Sequence, residues 1–402
     1  MIRKARKGKL DMELKESIKT ISGRERYLAT AEFRTVDRAF LIQPIPWDET
    51  LVRWRNEGLK AENLAEHFGT DTELGYDHPF HTDHGTPLLL PPLERKILSE
   101  ADEHQIIFEE AGNTVKLFKN NPMQSMPQFV EYPVKNREDW EKIIKPRRDW
   151  HTPGWTLQGE ELKSYAEKVR TRDYPLGLWA ASLYGWPRCW MGVERLSMMF
   201  YDDPDLVHEM CEHIAEWAVQ TLTPVLNAVQ FDFAYIWEDM AGKAGPLCSP
   251  STYRDFCLKP LKRVTNLLRK NGVKHIIVDS DGNNDVLIPL WLEAGVNGLR
   301  PFEVAAGCDA IATRRKYGKD LIMQWGIDKR ALAKGKDEID REILSKVPWL
   351  CMQGGYFPQV DHLVPPDVSL LNYTYYSKLL RSVVEDPERH LHEAKRRGFW
   401  KE

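Results

Sequence analysis

The chain has 402 residues, 42% of them hydrophobic, enough for one large buried core. Its 56 basic and 60 acidic residues leave a net charge of −4 with no long single-sign run outside the N-terminus, which excludes nucleic acid as the main partner. The basic opening MIRKARKGKLDMELK leads into no apolar run that could serve as a signal-peptide core or a membrane span. The expectation is a cytoplasmic protein with no membrane partner, in which residues 1–20 form a flexible basic tail and residues 21–402 a single domain.

Along the chain, SGRERYLATAEFR over residues 22–34 predicts a helix capped by Ser22, and residues 48–58 a second, short amphipathic one. A long loop rich in His, Asp, Gly and Pro follows, ending in LLLPPLE. QIIFEEAGNTVKLFK, residues 105–119, alternates apolar and polar positions around an Ala-Gly-Asn turn and predicts a β-hairpin. A helix is expected at 136–144 and a loop over 145–160, so residues 21–160 hold helices, a long loop and the hairpin.

From about residue 174 short apolar runs alternate with helical segments. PLGLWAAS precedes the helix MGVERLSMMFYD, and Asp203-Pro204 opens a long amphipathic helix. FDFAYIWED, KHIIVDSDG, NGLRPFE, KDLIMQWGID and WLCMQGGYFPQ repeat the theme with helices between them. Such alternation means parallel strands joined by crossover helices, and the fold class is α/β: a (β/α)8 TIM barrel with an N-terminal helical and β-hairpin extension. An open doubly wound sheet is disfavoured by the lack of a GxGxxG or GxxxxGK[ST] loop.

A barrel carries its reacting groups at the carboxyl ends of its strands. Those ends here read Trp237-Glu238-Asp239, Asp279-Ser280-Asp281-Gly282-Asn283, Glu303, Asp328-Lys329 and Asp361-His362. Five segments delivering ionisable groups to one rim predict a shared polar site. Carboxylates that converge repel one another, so one of them must hold a proton unless cations sit among them, with His362 and Lys329 the nearest candidates. Two chemistries need such a cluster. One is acid/base catalysis by His362, Asp281, Asp279 and Glu238. The other is a divalent metal, zinc or another, on Glu238, Asp279, Asp281 and His362. Trp237, Asp239, Asn283, Glu303, Asp328, Lys329 and Trp47 are then the substrate-binding residues.

Other features read more plainly. His78, His81 and His84 stand three residues apart in a loop that is expected to face solvent. The six cysteines form no CxxC pair and read as reduced, mostly buried thiols; Cys308 could reach the rim, but no histidine is placed near it. Most of the fourteen tryptophans belong to the core, and those near strand ends or turns, Trp179, Trp186 and Trp325 among them, can supply a flat wall for a planar ligand.

YDDPDLVHEM, FAYIWEDMAGKAGPLCSPSTYRDF, VDSDGNNDVLIPLWLEAGVNGLRPFEV and GGYFPQVDHLVPPDVSLLNYTYYSKLL resemble the uroporphyrinogen decarboxylase superfamily, whose members are (β/α) barrels. The likeness runs weakly back to SGRERYLATAEFRTVDRA. Relative to the true decarboxylases, LIQPIPWDETLVRW lacks the arginines of their RQAGR segment, while His362 of DHLVPPD fits their histidine. Relative to the corrinoid-dependent methyltransferases, VDSDGNN aligns with a zinc-binding His-x-Cys-Gly-Asn: Asp279 stands at the His position, Asp281 at the Cys, and Gly282-Asn283 match.

The resemblance implies a divergent member, with a methyltransferase of the demethylating type as the first reading. A small methoxylated aromatic substrate loses its methyl to a corrinoid carried by a separate protein, since no DxHxxG cobalamin signature is present. The second reading is a cofactor-free decarboxylase of a small or tetrapyrrole carboxylic acid, and the third a non-catalytic tetrapyrrole or corrinoid binder. A homodimer is compatible with each.

Overall fold

The computed structural model describes residues 21–76, 87–119 and 127–400. The basic tail and His78, His81 and His84 lie outside them.

Seven parallel strands form one sheet in the order β1 (Leu74–Gly75), β6 (Leu176–Ala181), β7 (Phe233–Trp237), β10 (His275–Asp279), β11 (Gly298–Arg300), β12 (Ile322–Gln324) and β13 (Tyr356–Phe357). Sequence neighbours are spatial neighbours throughout, the order that crossover helices impose on a barrel. Residues 40–43 lie between the two edges of this sheet without pairing as a strand. The carbonyl of Leu41 accepts from Asp71 N at 2.8 Å, next to β1, and Gln359 Nε2 donates to the carbonyls of Ile42 and Gln43 at 3.0 and 2.9 Å, beyond β13. The stretch thus ties the two edges of the sheet together.

Alternation along the strands sorts side chains into an inner and an outer layer. Phe233, Tyr235, Ile277, Ile322 and Phe357 share the inner cluster with Phe40 and Ile42, while Ala234, Ile236, Ile276, Val278, Met323 and Tyr356 face the helices. The expected N-terminal helix runs over Gly23–Ala31 with a full capping box between Ser22 and Glu25. Its Tyr27 plugs the lower end of the barrel, with ring centroids 4.9–5.3 Å from those of Phe357, Phe233 and Phe40.

The hairpin is present as β3 (His104–Phe108) and β4 (Thr114–Phe118), extended to a four-stranded antiparallel sheet by β2 (Lys96–Glu100) and β5 (Gln128–Glu131). Residues 136–144 form one α-turn, Arg137–Asp139, followed by a π-helical turn, Trp140–Ile144. The expected loop over 145–160 holds a 3-10 turn, Lys145–Arg148, and gives way at Gly159 to a helix reaching Arg170. A short antiparallel pair, β8 (Ala241–Gly242) and β9 (Gly245–Pro246), follows β7 and supports the loop after β10. Among the described residues, no helix is long and apolar enough to cross a membrane.

Candidate active site

Inner parity brings Asp279 and Arg300 to the top of the barrel. They pair across β10 and β11, where Arg300 Nε donates to Asp279 Oδ2 at 2.8 Å. The guanidinium lies 3.7 Å from the ring centroid of Tyr235, 5.0 Å from Trp325 and 5.3 Å from Trp179. The Tyr235 hydroxyl contacts Glu73 Oε1 at 3.0 Å and Gln324 Oε1 at 3.2 Å. Burial raises the Glu73 carboxyl, opposed by the charge of Arg300 and the Tyr235 hydrogen bond.

Above this layer the rim is built of charge pairs. His362 Nε2 stands 3.2 Å from Asp281 Oδ2, joining the loops after β13 and β10. Burial works against the imidazolium, but the hydrogen bond and charge of Asp281 outweigh it, so His362 titrates above its ordinary value. Lys329 Nζ lies 3.5 Å from Glu303 and 3.6 Å from Asp361. Asp361 has no exposed side-chain surface and accepts from the backbone N–H groups of Val304 and Lys329. Burial raises its carboxyl, and Lys329 holds that rise in check. On the far side Arg188, from the helix Gly185–Met191, donates to Asp239 at 2.6 Å. Asp239 is pushed up by burial and by the charges of Asp281 and Asp279, against the pull of Arg188.

The loop carrying Asp281 is fixed from below. Gly282 has φ +79°, and a Cβ there would lie 2.5 Å from the carbonyl oxygen of Ala241, so only glycine fits against β8. Asn283 takes part in the same turn, donating its N–H to the Gly242 carbonyl and accepting from Asp285 N.

Not every expected residue joins the cluster. Glu238 is fully buried and accepts from the N–H groups of Leu183, Tyr184 and Gly185 and from the Tyr253 hydroxyl. It anchors the start of the helix after β6 instead of joining the rim. Asp328 caps the helix Lys329–Lys334 and holds Arg330 through both oxygens. Trp47 starts the helix Asp48–Asn56, while Trp237 lies at the mouth, 5.4 Å from the Arg188 guanidinium. The Cys308 thiol donates to the Gly282 carbonyl at 3.4 Å and burial pushes it up to about 11, which leaves it protonated and a poor nucleophile.

The four residues considered for a metal do not make one donor set. Asp279 is held by Arg300, Glu238 is sealed among four donors, and Asp281 with His362 leaves a single pair. No group of three or more His, Cys, Asp or Glu side chains suited to a metal occurs among the described residues. Arg300, Arg188, Glu73 and Tyr235 were not expected from the motifs. Strand parity was the available signal for Arg300, two residues beyond the inward Gly298.

A parallel barrel whose polar cluster gathers at the carboxyl ends of its strands is an architecture built around a ligand site. The chain belongs to the uroporphyrinogen decarboxylase (URO-D) family, which it matches over residues 106–383. It is similar to the uroporphyrinogen decarboxylases of Legionella pneumophila strains Corby, 22% identical over 206 residues, and Paris, 21% over 201 residues. Each match takes in 49% of this chain and 53% of the relative, so the chain spans about half the length of the curated relatives it matches. In fold it is similar to a methyltransferase from Methanosarcina mazei, with a TM-score of 0.57, 16% identity, and coverage of 90% of this chain and 98% of the other.

Proposed function

We propose that this chain is the substrate-binding methyltransferase of an O-demethylating pair: it binds a small methoxylated aromatic compound and passes the methyl to a corrinoid protein. The observation that carries this reading is the His362–Asp281 pair at the barrel mouth, 3.2 Å apart and with His362 held above its ordinary pKa. Breaking a methyl ether leaves both electrons of the O–CH3 bond on oxygen, and that oxygen needs a proton. His362 donates it, and Asp281 stabilises the imidazolium beforehand and sets its orientation. The corrinoid, when bound by its own protein, supplies the electron pair that takes the methyl. Trp237 and the packed pair Trp179 and Tyr235 supply aromatic walls for the ring, and no metal is routed through the step.

The likeness to uroporphyrinogen decarboxylases favours a second reading, in which the same acid protonates the carbanion left after loss of CO2. One experiment separates the two. The full chain is incubated with methoxylated benzoates and cob(I)alamin, and both methylcobalamin and CO2 are measured. Methylcobalamin without CO2 is the expected result; CO2 release that needs no cobalamin would replace methyl transfer by decarboxylation.

A further inference from the structure

A small, partly open cavity of about 190 Å³ lies at the edge strand of the sheet, among Gln43, Ile45, β1, β6, β7 and Arg300. Trp179 and Tyr235 form aromatic walls, Ile45 and Leu74 flank it with exposed side chains, and Arg300 with Glu73 supplies its polar end. The Arg300 side chain is only 8% exposed, yet only its Nε makes a hydrogen bond. Both terminal nitrogens, with four N–H groups, lack an acceptor within hydrogen-bond reach among the described residues; the approach to Glu73 Oε1 is 3.8 Å. A buried guanidinium that spends one donor on the protein and borders a cavity with aromatic walls has two terminal nitrogens left with which to receive a carboxylate through paired hydrogen bonds.

We propose that this cavity is the substrate's acid-recognition site: Arg300 binds the carboxylate of an aromatic acid whose ring lies against the wall formed by Trp179 and Tyr235, which pack on each other with ring centroids 4.8 Å apart. The inference rests on the functional reading above and adds to it the class of substrate, a methoxylated arenecarboxylate. The positions of the two ends agree. Arg300 is bonded to Asp279 at the end of β10, and Asp281 follows two residues on, in the loop that carries the proton donor's partner. Asp279 already balances one charge of Arg300, and Glu73 is the group that opposes an incoming anion.

Binding, read by quenching of tryptophan fluorescence in the full chain, tests this without any turnover. The probes are 4-methoxybenzoate and 4-methoxybenzyl alcohol, alike in ring and ether but not in charge. The acid should bind at least 10-fold more tightly than the alcohol. Arg300→Gln should weaken the acid by about 10- to 100-fold, to the level of the alcohol, and Arg300→Lys should restore part of the loss. Glu73→Gln should tighten the acid and leave the alcohol unchanged. Circular dichroism of each variant guards against misfolding, and Arg300→Lys, which keeps the charge beside Asp279, carries the test if Arg300→Gln does not fold. Equal affinity for acid and alcohol, no binding of the acid, or wild-type affinity in a folded Arg300 variant overturns the proposal. Arg300-dependent binding of the acid with no methyl transfer would instead overturn the reaction and leave the acid site standing.

Discussion

Whether His362 can serve as an acid at neutral pH is decided by its neighbours. Burial and the charge of Lys329 lower its pKa, while Asp281 and Glu303 raise it, and the balance is upward because Asp281 adds a hydrogen bond to its charge. His362→Ala should therefore lower turnover by about 10²- to 10⁴-fold with a much smaller change in KM, measured by steady-state kinetics. An equal loss in KM would instead mark a binding residue. Asp281→Asn keeps the shape but removes the charge that raises His362. A step needing protonated His362 fades as pH rises through its folded pKa, so the alkaline limb of the pH–rate profile should move to lower pH in this variant. The same sign governs folding: the stability contributed by a raised histidine is present below its unfolded value and is lost as pH rises through the folded one. An unmoved limb in Asp281→Asn would uncouple the pair.

At the scale of elements, parity explains what the motifs showed and what they concealed. The acids after β10 were legible because Asp279 and Asp281 follow the inward Ile277 at two-residue steps, and the β/α alternation itself told where a rim should lie. Glu238 looked like a rim acid because it directly follows β7. Three residues beyond the inward Tyr235, it has the opposite parity and turns outward instead, to the helix Gly185–Met191. The same rule would have selected Arg300, hidden in NGLRPFE as one polar residue in a short strand. Eight-strand regularity was only partly legible, since residues 40–43 carry no turn signals and join the two edges of a seven-stranded sheet through a few hydrogen bonds, two of them from the Gln359 side chain. Burial pushes the Glu238 carboxyl up to about 7, against four hydrogen bonds that favour its charge. Glu238→Gln replaces one acceptor oxygen by an NH2 group facing donors, and should cost about 2 kcal/mol or more in urea unfolding. An unchanged midpoint with collapsed turnover would return Glu238 to the chemistry. Gly282→Ala should cost about 1–3 kcal/mol and displace Asp281, because the new Cβ meets the backbone of Ala241 and not a yielding side chain.

For the whole molecule, the seam where the chain's beginning meets β1 decides whether the site exists at all. The inner layer is shared between residues 27–42 and strands from Phe233 onward, so the barrel cannot close until the N-terminal helix and the 40–43 stretch have docked. Asp71 holds this seam: it receives Arg38 through both oxygens at 2.6 and 2.8 Å, Arg26 at 2.9 Å and the N–H of Leu41 at 2.9 Å. Asp71 and Arg38 are nearly buried, at 8% and 7% side-chain exposure, so removing one partner leaves an uncompensated charge where water cannot reach it. Arg26 retains Asp37, which limits the damage to the Arg38 side of the network. Asp71→Ala should therefore destabilise the chain by about 3–5 kcal/mol in urea unfolding. Binding of 4-methoxybenzoate per folded molecule should stay near wild type, since Asp71 lines neither the cavity nor the rim. A variant that unfolds at the wild-type midpoint would show that the barrel closes without this network. One that keeps its midpoint but loses the ligand would mean that the seam shapes the cavity directly, through the residues 43–45 that border it.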